Sequence, residues 1–366
     1  MFKKKNIYYL IASFIFLIIL INFNSTNSQV VDLRQDVKER IKKWKEDLKR
    51  YPVPKGAVKL RKLFSFPSKE LEEKGIYLYN ALRICVDNDK YIYVSSQLEH
   101  RILKFDINGK FLKQIGKKGK GPGEFLGPKD IDVDGKGHLY VRDVINRRIQ
   151  IFNSKGEYLS SFRYFKTIYS MVVDKDGFIY TNPQSFDPQY PLIEVFNMKG
   201  ELVKSFGKRI NFGNYSFAHS KAILTISSNG ELIVAWESFD YLRKYSKDGK
   251  LLLETRLKHK YVNEKSKINM ETKFKSMMMG LYRTITDIYS TKNAIYVLIT
   301  YPRIEILKFD NNFHLENVFW ADVVPRYLGF DFFVLEKDNG QLLFYILQCF
   351  PENKIEVFTN STKKKM

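Results

Sequence analysis

Lys117–Asp134 reads KKGKGPGEFLGPKDIDVD, four glycines and four lysines in eighteen residues. It is either a phosphate-cradling loop or a joint between structural units. A phosphate loop requires G-x-x-x-x-G-K-[ST] running into a helix, whose first N–H groups hold the anion. Here Lys120 is followed by Gly121-Pro122, and the segment continues into Ile131-Asp132-Val133, which alternates like a strand. A dinucleotide fingerprint also needs a helix after its glycines. Neither context exists. The stretch reads as a crossover whose turns are shaped by Gly and Pro.

Its surroundings repeat. ICVDNDKYIYVSSQLEHRILKFDINGKFLKQIG, from Ile84, aligns with IDVDGKGHLYVRDVINRRIQIFNSKGEYLSSF, from Ile131. Asp87, Tyr93, Arg101, Phe105 and Gly109 fall opposite Asp134, Tyr140, Arg148, Phe152 and Gly156. A third copy keeps Asp174, Tyr180, Phe196 and Gly200, with four extra residues between Tyr and Phe. A fourth has Gly230, Ile233, Tyr245 and Gly249 in register; a fifth keeps Tyr296 and Phe309, and a sixth Gly340 and Phe358. Within each copy the apolar residues alternate, as Ile149 and Ile151 do between Arg148 and Gln150, so each reads as four short strands.

One four-stranded sheet cannot bury both faces. Six around an axis can, so the fold expected for residues 57–362 is an all-β, six-bladed propeller with four-stranded blades. The sixth copy ends after its third strand. Ala57–Pro67, AVKLRKLFSFP, alternates like a strand and supplies the missing outer one, tying the two ends of the ring together. Copy two also carries a resemblance. GKGPGEFLGPKDIDVDGKGHLYVRDVINRRIQIF is similar to the NHL repeat, G-x-G-x-F-x-x-P-x-x-Ψ-x-V-D-x-x-G-x-Ψ-Y-V-x-D-x-x-N-x-R-Ψ-Q-x-F. The resemblance is dense over residues 80–160 and covers 57–360 by extension. It implies a six-bladed propeller of exported bacterial type.

Ahead of the ring, Lys3, Lys4 and Lys5 precede an apolar run from Ile7 to Phe23, and polar NSTNSQ follows. This is the pattern of an export signal, and its length also suits an anchor. Residues 1–29 are read as one or the other, and both place the remainder outside the cytoplasm. In residues 30–56, Leu33, Val37, Ile41, Trp44 and Leu48 share one face of a helix, with Asp32 and Gln35 as its capping box. The formal charge of +21 gathers toward the ends: residues 1–61 hold 14 Lys or Arg against 5 Asp or Glu, and residues 363–366 form a basic tail with Lys363–Lys365. Such ends suit anionic lipid or cell-wall polymer, and the other reading is a solvated tail. Nucleic acid is not expected as a partner of an exported chain. Cys85 and Cys349 sit in separate apolar runs and read as buried free thiols.

Catalytic signatures are sparse. Amidating lyases of this shape hold zinc through histidines, but His100, His138, His219, His259 and His314 lie in different copies without metal-ligand spacing. Lactonase-type propellers hold calcium at the first-strand entrances, where this chain offers Asn80, Lys129, Tyr169, His219 and Thr286, a poor set of oxygen ligands. Asp130 and Asp132 flank Ile131 and read as solvated or turn-bonded, and Asp143, Asn146 and Arg148 as a hydrogen-bonded turn. No catalytic residue, metal or cofactor is assigned. The candidate site is the set of loops between second and third strands, where Arg142, Arg147, Tyr190, Trp236, Tyr241, Tyr301 and Arg303, with Gln184, give the aromatic and arginine mixture of a binding face. The NPQSFDPQYP loop and the insert NEKSKINMETKFKSMMMG flank it; Met277–Met279 read as core. The expected function is a monomeric binding or scaffold protein for a protein or glycan ligand, with membrane association through the leader. The alternative is a lyase or lactone hydrolase with a metal in the channel.

Overall fold

The structure, a computed structural model, describes residues 27–185, 187–210, 221–271, 281–322, 328–349 and 353–360, with residues 27–37, 328–330 and 349 described by backbone only. The leader up to residue 26, His219, Met277–Met279, the Cys349 side chain and the lysine tail lie outside this description. The chain forms two compact units, residues 1–52 and 53–366.

The first unit contains α1 (Asn27–Arg50), with Lys49 and Arg50 in its last turn, where the helix dipole favours cations. It passes through Asp32 instead of starting there, so the capping box expected at that position does not form. No helix among the described residues is long and apolar enough to cross a membrane.

The second unit is six sheets. Blade I is β3 (Ala81–Val86), β4 (Ile92–Ser96), β5 (Arg101–Phe105) and β6 (Phe111–Ile115). Blade II is β7 (Pro128–Val133), β8 (Leu139–Asp143), β9 (Arg148–Phe152) and β10 (Tyr158–Arg163). Blade III is β11 (Ile168–Val173), β12 (Ile179–Pro183), β13 (Ile193–Phe196) and β14 (Leu202–Phe206). Blade IV is β15 (Ala222–Ile226), β16 (Leu232–Trp236), β17 (Tyr241–Tyr245) and β18 (Leu251–Arg256). Blade V holds β19 (Asp287–Ser290), β20 (Ile295–Ile299), β21 (Ile304–Phe309) and β22 (Leu315–Ala321). Blade VI holds β23 (Leu328–Glu336), β24 (Leu342–Cys349) and β25 (Lys354–Thr359). Each first strand touches the next, and β23 touches β3, so the ring is closed. The cores lie between blades: Tyr93, Ile102 and Ile115 of blade I join Leu139, Val141 and Phe152 of blade II in one buried cluster.

The clasp has two parts. β2 (Arg61–Phe66) is the outer strand of blade VI, antiparallel to β25, with Phe66 opposite Ile355. Just before it, β1 (Val58–Lys59) pairs parallel with β22 as a fifth strand on blade V. Phe66 is buried and its ring lies 5.2 Å from that of Phe105, so the same segment also touches blade I. A short helix, α2 (Lys69–Glu73), capped by Ser68, follows it. A longer one, α3 (Lys260–Glu271), occupies the crossover from blade IV to blade V, where the lysine-rich insert begins.

The repeated six-residue spacing has a chemical cause. Each Asp closes the first hairpin of its blade, and the Tyr across that hairpin donates its hydroxyl back to it. The distances are 2.9 Å for Tyr93 to Asp87, 3.2 Å for Tyr140 to Asp134 and 3.5 Å for Tyr180 to Asp174. In blade V the Tyr296 hydroxyl donates at 2.8 Å to Glu336 of the neighbouring blade instead.

The glycine stretch is the crossover from blade I to blade II, and blade II clamps it. Asp143, fully buried, accepts from Leu126 N at 2.7 Å, Asn146 Nδ2 at 2.7 Å and Arg148 Nε at 3.1 Å. Arg148 Nη2 donates to the carbonyls of Gly121 and Glu124, both at 2.8 Å, and Asn146 Nδ2 to that of Gly119 at 3.0 Å. Gln150 bridges Gly123 N and Glu124 O. At Gly116, just before the stretch, φ is +76° and an added Cβ would stand 2.2 Å from the Phe125 ring, so only glycine fits.

Candidate functional site: the polar axis and the crossover end

The first strands carry polar side chains into the axis. Arg83 from β3 stands 3.6 Å from Asp130 of β7 and 3.8 Å from Asp331 of β23. Asp130 is buried and accepts from Arg142 Nε at 2.6 Å. Burial alone would push the Asp130 carboxyl up, but Arg142, Arg83 and Lys129 together hold it below the usual carboxylate range. Burial works against the Arg83 cation, and Asp331 and Asp130 outweigh it. The expectation that Asp130 and Asp132 are solvated strand residues is therefore corrected for Asp130, which sits inside an ion network.

Several axial groups also fasten blade to blade. Asp132 accepts from Val173 N at 2.7 Å, Asp331 from Ile84 N at 2.7 Å and Asp287 from Phe332 N at 3.1 Å; Ser170 Oγ accepts from Leu224 N at 3.3 Å. Burial pushes the Asp132 carboxyl up to about 7, against the pull of the Val173 and Val133 N–H groups. Burial and the adjacent Asp331 carboxylate raise the Asp287 carboxyl well above its ordinary range.

These groups line a cavity of about 360 Å³ on the axis. Arg83, Asp287 and Asp331 lie at its inner part, and Asn88, Gly135, Lys175, Ser228 and Lys292 from the first hairpin turns surround its mouth. It thus opens at the end of the ring opposite the loops singled out from the sequence.

At the loop end, the predicted residues divide. Trp236 is the last residue of β16 and fully buried, its indole N–H without a partner among the described residues and its ring 4.9 Å from the Arg243 guanidinium. Arg142 lies in β8, buried against Asp130, and Arg303 is buried against Glu305 at 3.1 Å. The exposed loop positions expected for these three are corrected. Tyr190, Tyr241 and Tyr301 are half-buried. Tyr190 donates to Glu194 at 2.6 Å, Tyr241 lies under the Arg256 guanidinium, and Tyr301 packs on Tyr261 of α3 at 5.4 Å. Arg147 is exposed, at a left-handed turn with φ +52°.

Other residues dominate this surface. Tyr79, Leu98, Ile145 and Phe165, on crossovers and second-to-third-strand loops of blades I to III, are 53, 54, 64 and 64% exposed. Gly127 lies between two of these loops: a Cβ added there would stand 3.5 Å from Ile145 and 3.7 Å from Gln97. Beside them on β7, the Lys129 ammonium has no ion pair or hydrogen bond among the described residues; burial lowers its pKa, and Arg142, Arg83 and Lys221 act in the same direction. Lys221 and Arg283 meet on Glu237, at 2.7 and 3.0 Å.

The donor set for a metal is thin. Among the described residues no three His, Cys, Asp or Glu side chains are placed to share an ion. His138 and His314 bond to Asp134 and Asp310 in their own turns, His259 to Glu305, and His100 Nδ1 accepts from Gly127 N. Of the first-strand entrances, Asn80 bonds Gln97 and Thr286 bonds Thr300. Cys85 is a buried free thiol, its pKa raised by burial.

A closed ring of six four-stranded blades with a polar axis defines a six-bladed β-propeller. Residues 70–320 match the family described as a domain of unknown function, DUF4934, and the chain belongs to that family. Its fold is shared with a protein of Bacteroides fragilis described as exported (12% identity, TM-score 0.56, covering 86% of this chain and 98% of that one). A DUF4221 family member from Bacteroides vulgatus is similar over 84% of this chain and 98% of its own, at 16% identity and TM-score 0.54. A streptogramin B lyase is similar at 12% identity and TM-score 0.50, over 82% and 87%.

Proposed function

We propose that this chain is an extracytoplasmic, NHL-like propeller that binds a protein or glycan partner at its crossover end. The observation that carries the proposal is the group of exposed Tyr79, Leu98, Ile145 and Phe165 beside the unpaired Lys129. Large apolar side chains gathered on one face mark interaction sites. Leu98 and Ile145 offer no ring on which a sugar can stack, which favours a protein surface over a glycan. The basic and apolar leader supports export, and its lysines and the basic tail support contact with an anionic surface. The Asp143, Asn146, Arg148 and Gln150 clamp fixes the crossover from blade I to blade II at this end of the ring, in the part of the chain on which the NHL resemblance is densest.

The test is site-specific photo-cross-linking in the native cells. A photoreactive residue at position 145 captures one defined partner, and Phe165→Ser lowers the yield at least fivefold. The same probe at Asn229, on the opposite end, captures none. Equal capture from both ends, or a yield indifferent to Phe165→Ser, refutes the assignment.

A further inference from the structure

The axial cavity is a second site, on the other end of the ring. Its size, about 360 Å³, falls at the lower end of small-molecule pockets, roughly 300–1,000 Å³. Its inner part is unusual in one respect. Arg83 lines it, yet the guanidinium makes no hydrogen bond among the described residues; its two carboxylate neighbours stand off at 3.6 and 3.8 Å. An arginine carries five N–H donors, and Arg83 is among the residues that line the cavity. Acceptors stand beside them. Asp132 is fixed by Val133 N and Val173 N, and Asp331 by Ile84 N, so each carboxylate is held in place with lone pairs to spare.

The charges nearly cancel. Arg83 faces Asp331 and Asp130, Asp130 is also neutralised by Arg142, and burial beside Asp331 favours the uncharged form of Asp287. An anion entering would meet Asp331 and Asp132; a cation would meet Arg83. A full charge loses its hydration there without gaining a clear counter-ion. Neutral hydroxyl groups are suited to such a place, because each donates and accepts. A diol can take N–H donors from Arg83 on one oxygen and give its protons to Asp132 or Asp331. Tyr289 contributes a ring to the wall, packed against Phe332 and Phe333, and a sugar face can lie on such a ring.

We propose that the axial cavity binds a neutral, hydroxyl-rich molecule, one sugar unit or the end of a short saccharide, entering between the first hairpin turns and held by Arg83, Asp132 and Asp331. This site is separate from the crossover face, so either assignment stands or falls alone.

The experiment uses the full chain, purified in a detergent without a sugar headgroup, and ligand-observed NMR. The probes are glucose, galactose, mannose and N-acetylglucosamine, with glucosamine and glucuronate as cationic and anionic counterparts. At least one neutral sugar binds with millimolar Kd or better, and more tightly than either charged probe. Arg83→Met weakens it at least tenfold. Because Arg83 is part of an ion network, a second variant guards against misfolding: Ser228→Trp, an exposed turn residue at the mouth, blocks entry and abolishes binding with the melt unchanged. The proposal is overturned if no neutral sugar binds, if a charged probe binds more tightly, or if Ser228→Trp binds like wild type.

Discussion

Asp143→Ala tests the reading of the glycine stretch. The carboxylate is fully buried and takes three donors within 3.1 Å: Leu126 N, Asn146 Nδ2 and Arg148 Nε. Removing one partner of a buried charge pair costs about 3–5 kcal/mol, because the remaining charge is left uncompensated. Arg148 keeps the Gly121 and Glu124 carbonyls, which sets the loss in the lower half of that range, near 3–4 kcal/mol. Unfolding entropy of about 2.1 cal/mol/K per residue gives the propeller unit roughly 0.65 kcal/mol/K, so the melting midpoint falls by about 5–6 °C. Circular dichroism reads that shift. Asp143→Asn keeps the volume but must point an amide N–H at a donor, and it loses nearly as much. The double variant with Arg148→Ala loses less than the sum, with a coupling of about 1–3 kcal/mol. Trypsin reads the local effect, since Lys117, Lys118 and Lys120 lie on the clamped segment and are cut faster in Asp143→Ala. A midpoint within 2 °C of wild type, together with an unchanged digest, refutes the clamp.

Two further predictions concern buried groups. Asp132 has a folded pKa of about 7 against an ordinary 3.8, so its contribution to stability is fully present below pH 4 and is lost as pH rises toward and through 7; Asp132→Asn differs from wild type by a constant offset below pH 4, and denaturant melts find that difference moving in favour of the variant by a few kcal/mol up to pH 8. An unmoved difference across that window shows that the carboxyl titrates normally. Trp236→Phe removes a buried N–H without a partner and keeps an aromatic ring, so urea melts place it within about 1 kcal/mol of wild type, whereas Trp236→Ala costs about 3–5 kcal/mol.

What the sequence revealed follows from where the chemistry is local. The Asp-to-Tyr spacing is legible because its hydrogen bond spans a single hairpin, Asp134 to Tyr140, and so recurs at a fixed interval. The turn is legible because Asp143, Asn146 and Arg148 lie within six residues; its grip on the crossover is not, because Gly119, Gly121 and Glu124 lie 24 to 27 residues upstream, beyond β7. Ala57–Pro67 is legible as the clasp because a blade lacking one strand needs a partner; the parallel pairing of β1 with blade V is not, since two residues carry no alternation. Trp236 was misplaced by one position: β16 ends on it and the turn begins after it, and along a strand one residue changes the face. Arg142 looks like a loop cation until β7 brings Asp130, twelve residues upstream, to 2.6 Å. Leu98, Ile145 and Phe165 carry no signal of exposure, because an aliphatic or phenyl group in a loop is as often a staple holding the turn to the core.

The axis carries information that the periphery lacks. Three residues before the pair that closes each first hairpin, blades I to VI place Arg83, Asp130, Ser170, Ile223, Asp287 and Phe333. One strand position, seen from six directions, is thus cationic, anionic, hydroxylic, aliphatic, acidic and aromatic in turn. Ser170 and Asp287 take a backbone N–H from the next blade, so part of the variety serves the joints of the ring; the Arg83 guanidinium makes no such bond among the described residues. Desolvation opposes the Arg83 charge and the Asp331 and Asp130 carboxylates outweigh it, yet both stand beyond hydrogen-bonding distance, so the charge is matched while the N–H donors are left to bond. The ion pairs account for the charge of this half-buried cation and leave its donors unspent. Its place is accounted for when the donors have something to bind.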